Sequence, residues 1–386
     1  MKPVRAVALL FASTLAAQAP IPVRTVGPIL AAGTENVGTS VVVRALSDGR
    51  VIVGSWRRWR VFAFDSTLAK STVVIDSVWG TGSSSPPTTP IAYRGDSTVL
   101  ADFGGSALLV LDPKGTIVRS MAPVRRDDLR RMNSPGVRFD RRERIVFQEA
   151  TNLARPTQPP DTSPLVRADL DARTIDTVGW LKAGNELWVR TDPSTRLTHE
   201  IFNPFPWTDQ WAMLTDGTIA IVRAGDYHID WIDPDGTRRS TAKMPFDWRR
   251  ITEAEKRQIG DSLLKLRTEQ IAHRVTPPSG RGGGRAPTPL RTVVELTPES
   301  GWPSYWPSLN YAAVKSDLDN HLWILPSTSL NAASGLTYDV VNRDGKIVER
   351  VQLPRNRALA GFGPGGMIYT THTVGDVTTL ERAQVR

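Results

Sequence analysis

Several aromatic residues of this 386-residue chain cluster in three short segments, one with arginines and two with prolines. One is Trp56-Arg57-Arg58-Trp59-Arg60. The second is Phe205-Pro206-Trp207-Thr208-Asp209-Gln210-Trp211, and the third is Trp302-Pro303-Ser304-Tyr305-Trp306, running on to Asn310-Tyr311. Ring faces beside guanidinium groups suit flat, carbohydrate-like, aromatic or anionic ligands, through stacking and charge-assisted hydrogen bonds. The second and third segments share an order of proline and aromatics, as if one loop had been built twice. A plainer reading of the same residues has the tryptophans wedging neighbouring structural units together or packing under an inserted helix.

Polar groups that could serve such a site are Asp102, Arg138, Glu149, Arg223, Asp226, Tyr227, His228, Asn310, His372 and Asp376. A general acid/base pair or a metal centre can be assembled from these types, and each is also what a solvated loop contains. The five histidines, His199, His228, His273, His321 and His372, have no H-x-x-x-H or H-E-x-x-H spacing, which excludes a helix-borne zinc site. Convergence of His228 and His372 on a common axis stays open. There is no G-x-S-x-G elbow, phosphate loop or dinucleotide fingerprint. Asp317 and Asp319 resemble an oxygen-rich cation loop, but their place at a tight turn favours a turn role. The chain has no cysteine, so disulfides, thiolate metal sites and a lipid-modified cysteine are unavailable. No cofactor is expected.

The elements that must position these residues follow from a repeat. A turn followed by a short apolar run recurs at Asp48-Gly49, Gly95-Asp96, Arg141-Arg142, Asp216-Gly217, Asp319-Asn320 and Gly365-Gly366. A second turn follows each of the first five, at Asp65-Ser66, Asp112-Pro113-Lys114-Gly115, Asp171-Ala172, Asp233-Pro234-Asp235-Gly236 and Arg343-Asp344-Gly345. Asp, Pro and Gly sit where tight turns need a preset or positive φ, so each unit reads as two hairpins, a four-stranded antiparallel blade. Runs such as Ala107-Leu108-Leu109-Val110-Leu111 are apolar throughout, as in strands covered on both faces. The gaps are too short for crossover helices. The expected fold is an all-β, six-bladed β-propeller. Its last unit lacks an outer strand, and Val23 to Leu30 can fill that place and close the ring.

Two segments interrupt a spacing of roughly 46 residues. Thr151 to Pro164 is a proline-rich loop. The segment of about 245–301 is a larger insert, with a capping box at Thr252-Glu253-Ala254-Glu255 and apolar residues Ile259, Leu263, Leu266 and Ile271 at helical spacing. A helix over Thr252 to Arg274, packing an apolar side on the propeller, and a flexible linker over Thr276 to Pro289 are expected.

The chain starts like a secretory signal. Lys2 and Arg5 precede an apolar Ala6 to Ala17 stretch and an Ala17-Gln18-Ala19 cleavage site, giving a leader of residues 1–19 and one domain over 20–386. Export to the periplasm or outside the cell is expected, with no membrane span. The formal charge of +9 is small for this length, and only nine of the 48 basic residues are lysines, so no nucleic-acid partner is expected.

The repeated hairpins, above all Ser316-Asp317-Leu318-Asp319-Asn320-His321-Leu322-Trp323-Ile324, resemble the S-D-x-D-G-x-L-W-I signature of bacterial six-bladed propellers of the NHL-repeat and TolB-like groups. Asn320 stands where that signature has glycine, and asparagine tolerates left-handed backbone. The resemblance implies the architecture and covers binding modules, lactonases and other hydrolases alike. Gluconolactonase-like propellers hold an axial divalent ion with Glu, Asn and Asp, and no matching local motif places those ligands here.

Propeller geometry puts the loops entering first strands, and those joining second to third strands, around one channel mouth. The resulting expectation is a monomeric binding propeller for a small-molecule, carbohydrate or protein ligand. Its site is Trp56, Arg57, Arg58, Trp59, Trp207, Asp209, Trp211, Arg223, Tyr227, His228, Tyr305, Trp306, Asn310 and His372. The alternative is a hydrolase or lactonase with an axial divalent cation. A third reading makes the helix and linker a protein-docking element.

Overall fold

The computed structural model describes residues 20–76, 88–149, 161–184, 187–192, 194–195, 197–272, 292–330 and 332–385. The leader over 1–19, residues 151–160 of the proline-rich loop and the 276–289 linker lie outside the described residues.

Local turn chemistry sets the hairpins. In the Asp112-Pro113-Lys114-Gly115 turn, the Asp112 carboxylate accepts the Lys114 and Thr116 amides at 2.8 and 2.9 Å, and Gly115 takes a φ of 85°. Asn320 has a φ of 64°, and its Oδ1 accepts the Thr215 amide at 2.9 Å and the Thr215 hydroxyl at 2.7 Å. A glycine could adopt that backbone but could not tie its turn to the neighbouring sheet. Asp317 likewise closes its own turn, accepting from the amides of Asp319 and His321 and from Trp323 Nε1.

These hairpins assemble an all-β protein of the β-propeller type. Four sheets have four strands each: Val41–Ala45 to Ser71–Ile75, Ile91–Ala92 to Ile117–Met121, Arg138–Phe139 to Thr174–Lys182, and Gln210–Met213 to Arg238–Ser240. An eight-stranded sheet follows. Its one half is Leu309–Ser316 to Ile347–Gln352. Its other half is Arg357–Gly363, Met367–Val374, Val377–Val385 and the N-terminal strand Val23–Ala32. That strand runs antiparallel to Val377–Val385, with Val26 opposite Val385 and Ala32 opposite Glu381, and its start pairs in parallel with Arg350–Gln352.

Apolar layers lie between successive sheets. Ile52 and Val61 meet Leu100 and Leu111; Val99 and Val110 meet Phe147 and Val166; Trp323 and Val340 meet Leu359 and Ile368. One layer joins opposite ends of the chain, with Val53, Phe62 and Phe64 packed on Ala360, Tyr369 and Leu380. Each such side chain removed from water contributes about 1.5–3 kcal/mol, which is why both faces of these strands are apolar.

The insert differs from expectation in two ways. A hairpin of Leu187–Thr191 and Thr198–Phe202 pairs in parallel with Thr292–Leu296, making a separate three-stranded sheet. Its parts lie far apart in sequence, so no local pattern announces it. The helix runs over Glu253–Ala272 and starts at the expected box, with Thr252 and Glu255 bonded reciprocally at 3.2 and 2.9 Å. Its one buried residue is Gly260, set against Leu296 and Trp302, so the helix rests on the added sheet and not on a blade face. Leu266 is left 49% exposed. Pro164 also departs from the loop reading, since it lies in the Thr162–Asp169 strand opposite Trp180. Among the described residues no helix is long and apolar enough to cross a membrane.

Candidate functional site

First strands of the four four-stranded sheets and of both halves of the eight-stranded sheet line a common cavity of about 520 Å³, a size suited to a small molecule. Chain direction orders its lining. Where first strands begin, the wall is polar, with Arg131, Ser134, Gln148, Glu149, Thr208 and Gln210. Midway it is apolar, with Val43, Val137, Trp211, Val314 and Ala360. Where first strands turn into second strands, three cations line it: Arg44, Arg138 and Lys315.

A bulge shapes the polar end. Pairing between the fifth group's first two strands slips between Leu309 and Val314, and Ala312 takes a φ of 58°. The Ala312 amide donates to Gln210 Oε1 at 2.8 Å, and Tyr311 is turned out beside Arg131 and Ser134. Glu149 is paired with Arg125, which also holds Asp128 at 2.8 Å.

The cations occupy a matched position. Arg44 lies opposite Ile52, Arg138 opposite Val146 and Lys315 opposite Trp323, each pair eight residues apart across its turn. The same rung carries Ile91, Ala212 and Gly361 in the intervening groups. Charge therefore alternates with small or apolar side chains at this register, and of the latter Ala212 and Gly361 line the cavity. Arg44 is fixed by bonds to Thr98 Oγ1 and to the Gly95 and Ser97 carbonyls at 2.8 to 3.1 Å. Arg138 reaches the Ser316 carbonyl at 3.3 Å. Among the described residues the Lys315 ammonium has no hydrogen-bond or ion-pair partner.

Arg44, Arg138 and Lys315 are each partly buried, and the electrostatics reflect it. Burial, then the Arg138 charge, holds Lys315 below its ordinary value of 10.5. Burial lowers Arg138 too, opposed by Asp317, and lowers Arg44, where Asp96 opposes and Arg138 adds to the effect. Both guanidiniums stay charged, because arginine does not deprotonate in proteins. No group of three His, Asp or Glu side chains converges among the described residues, and the axis carries positive charge instead.

Of the residues anticipated from sequence, Arg138, Glu149, Thr208, Gln210, Trp211 and Tyr311 line the cavity. Trp211 is also packed into the layer between third and fourth sheets. Asp209 is buried as a clamp, accepting the Lys182 and Ala224 amides and Arg223 Nη1 at 2.7 to 3.0 Å. Arg223 is spent on Asp209, Asp230 and the Trp180 carbonyl. Tyr227 is fully buried and donates to Asp339 Oδ2 at 3.2 Å, so it belongs to the core and not to a mouth.

His228 is held between Asp226 and Asp230 at 2.6 and 3.2 Å, and His372 leans on Glu381 at 3.2 Å. Neither lines the cavity. Trp306 packs edge-on against Phe205 and under Arg249, Trp207 lies against Trp248 and Lys182, and Tyr305 also meets Trp248. These rings form a bed beside the insert. Trp56, Arg57, Arg58 and Trp59 form the turn after Val51–Ser55, where Arg57, Arg58 and Trp59 are exposed; Asn310 is exposed as well.

Arg44 and Lys315 escaped the sequence reading. Each is a lone cation ending an apolar run, Val41-Val42-Val43-Arg44 and Ala312-Ala313-Val314-Lys315. Only the shared hairpin register sets them apart from ordinary strand ends.

No known family's sequence profile matches the chain, and no curated protein matches it. Solved structures similar to it include a gluconolactonase from Xanthomonas campestris, at 11% identity over 93% of this chain and 98% of that one, with a TM-score of 0.41. A virginiamycin B lyase from Staphylococcus aureus matches at 11% identity over 93% and 88%, with a TM-score of 0.40. A calcium-binding regucalcin from Agrobacterium tumefaciens matches at 10% over 95% and 97%, with a TM-score of 0.41. Similarity at this level carries no argument about ligand or activity.

Proposed function

We propose that this chain is an exported six-bladed β-propeller, its ring closed by the Val23–Ala32 strand, that binds a small-molecule ligand in its axial cavity. The observation that carries the binding reading is the cavity itself, about 520 Å³, walled by the first strands and graded from polar to apolar to cationic. The apolar layer between Phe62 and Ala360, together with the pairing of Val26 with Val385, supports the closed ring. Export rests on the signal-like composition of residues 1–19. The metal-dependent lactonase reading lacks support from the lining, where cations stand on the axis.

Thermal-shift screening of small sugars, carboxylates and phosphate esters tests the reading. Gln148 lies on the channel wall, and Gln148→Trp fills the channel there. Stabilisation by a hit should be lost in Gln148→Trp. Hits indifferent to that substitution would put the site outside the cavity and overturn the reading.

A further inference from the structure

The three axial cations are the feature that the cavity's size does not explain. A lysine whose ammonium lacks a partner, partly buried next to an arginine in the channel, is an unfavourable arrangement for the protein alone, since desolvation and like-charge repulsion both oppose it. Random surface charge does not produce it either. The cations stand at one register position in the first, third and fifth groups, while Ile91, Ala212 and Gly361 hold that position between them. A Cβ added to Gly361 would come within 2.8 Å of the Val43 carbonyl, so the intervening positions cannot all carry large side chains.

We infer that Arg44, Arg138 and Lys315 form a cationic collar that binds a polyvalent oxyanion, a phosphate or polycarboxylate group, on the channel axis. The inference rests on the axial-cavity reading and names the class of ligand which that cavity takes. An oxyanion has acceptor atoms on several sides, and donors spaced around an axis meet them from different directions. The ammonium supplies a freely rotating donor, and the arginines supply planar ones. Arg44 keeps Nη1 free of hydrogen bonds among the described residues, because its bonds use Nε and Nη2. Asp317 and Asp96 lie behind the arginines and bond within their own turns or neighbouring ones, Asp317 to His321 and Trp323 and Asp96 to Ser47. They hold the local field without occupying the axis. The apolar wall above the collar suits the carbon body of an organic acid or ester.

Calorimetric titration at fixed ionic strength with two probes, inorganic phosphate and citrate, provides the test. Wild-type protein should bind at least one of them saturably, and the one bound identifies the oxyanion. Lys315→Met and Arg138→Met should each weaken that binding by about tenfold or more, while Lys315→Arg should keep most of it. Lys315→Gln serves as the second variant should Lys315→Met fail to fold. Absence of binding by either probe, or binding unchanged in both cation variants, would overturn the inference. An uncharged solute that binds wild-type but not Gln148→Trp, with neither anion binding, would sink the collar and leave the cavity reading intact. Solutes and anions all indifferent to Gln148→Trp would sink the cavity reading and the collar with it.

Discussion

Lys315 is the residue on which function and stability pull apart. Its folded-state value lies below 10.5, so between that lowered value and 10.5 the unfolded chain binds more protons than the folded one, and stability rises with pH there. The penalty is fully present below the folded value and gone above 10.5. Arg138 faces the ammonium as a permanent cation, and Asp317, which lies near Arg138, offsets it only in part. Lys315→Met should therefore melt about 2 °C higher than wild-type at neutral pH, with the gap closing as pH approaches 10.5. Calorimetric melts of both proteins across that range check this; a variant less stable at every pH would mean the ammonium has a favourable partner. Tyr227 is the opposite case. Burial, then the Asp339 charge, raises its phenol well above the ordinary 10.0, keeping it a donor. Asp339 retains Arg350 Nε at 2.8 Å, so Tyr227→Phe should cost about 1 kcal/mol by denaturant unfolding and leave ligand affinity unchanged.

At the scale of elements, what was legible in the sequence is what local chemistry dictates. Asx-type turns such as Asp112 to Thr116, and the Thr252–Glu255 capping box, are written in a few adjacent residues and form where the pattern puts them. The Leu187–Thr191, Thr198–Phe202 and Thr292–Leu296 sheet was not legible, because its pairing depends on segments that only tertiary structure brings together. The aromatic segments are ambiguous in sequence for a related reason: tryptophan suits both a stacking site and a packed bed, and Trp306 and Trp207 serve packing beside the insert. The collar needed register, which sequence gives only once the hairpins are aligned rung by rung. The N-terminal strand is the element with the sharpest consequence. Its ladder to Val377–Val385 supplies the last group's outer strand, so removing residues 20–32 should lower the melting temperature by on the order of 10 °C. An unchanged melt would contradict the closed-ring reading.

Over the whole molecule, the radial sheets do two jobs with one strand pattern. Apolar faces pack sheet on sheet, while the first strands carry whatever faces the axis, so ligand chemistry can change without disturbing the layers. That separation explains why the turns announce the architecture while the ligand class rests on Arg44, Arg138 and Lys315 alone. The most direct test is an anomalous difference map from crystals equilibrated with selenate, a tetrahedral oxyanion that is located without ambiguity. The account predicts a peak on the channel axis between Arg44, Arg138 and Lys315, absent in Lys315→Met. Peaks confined to the outer surface, with none on the axis, would contradict it.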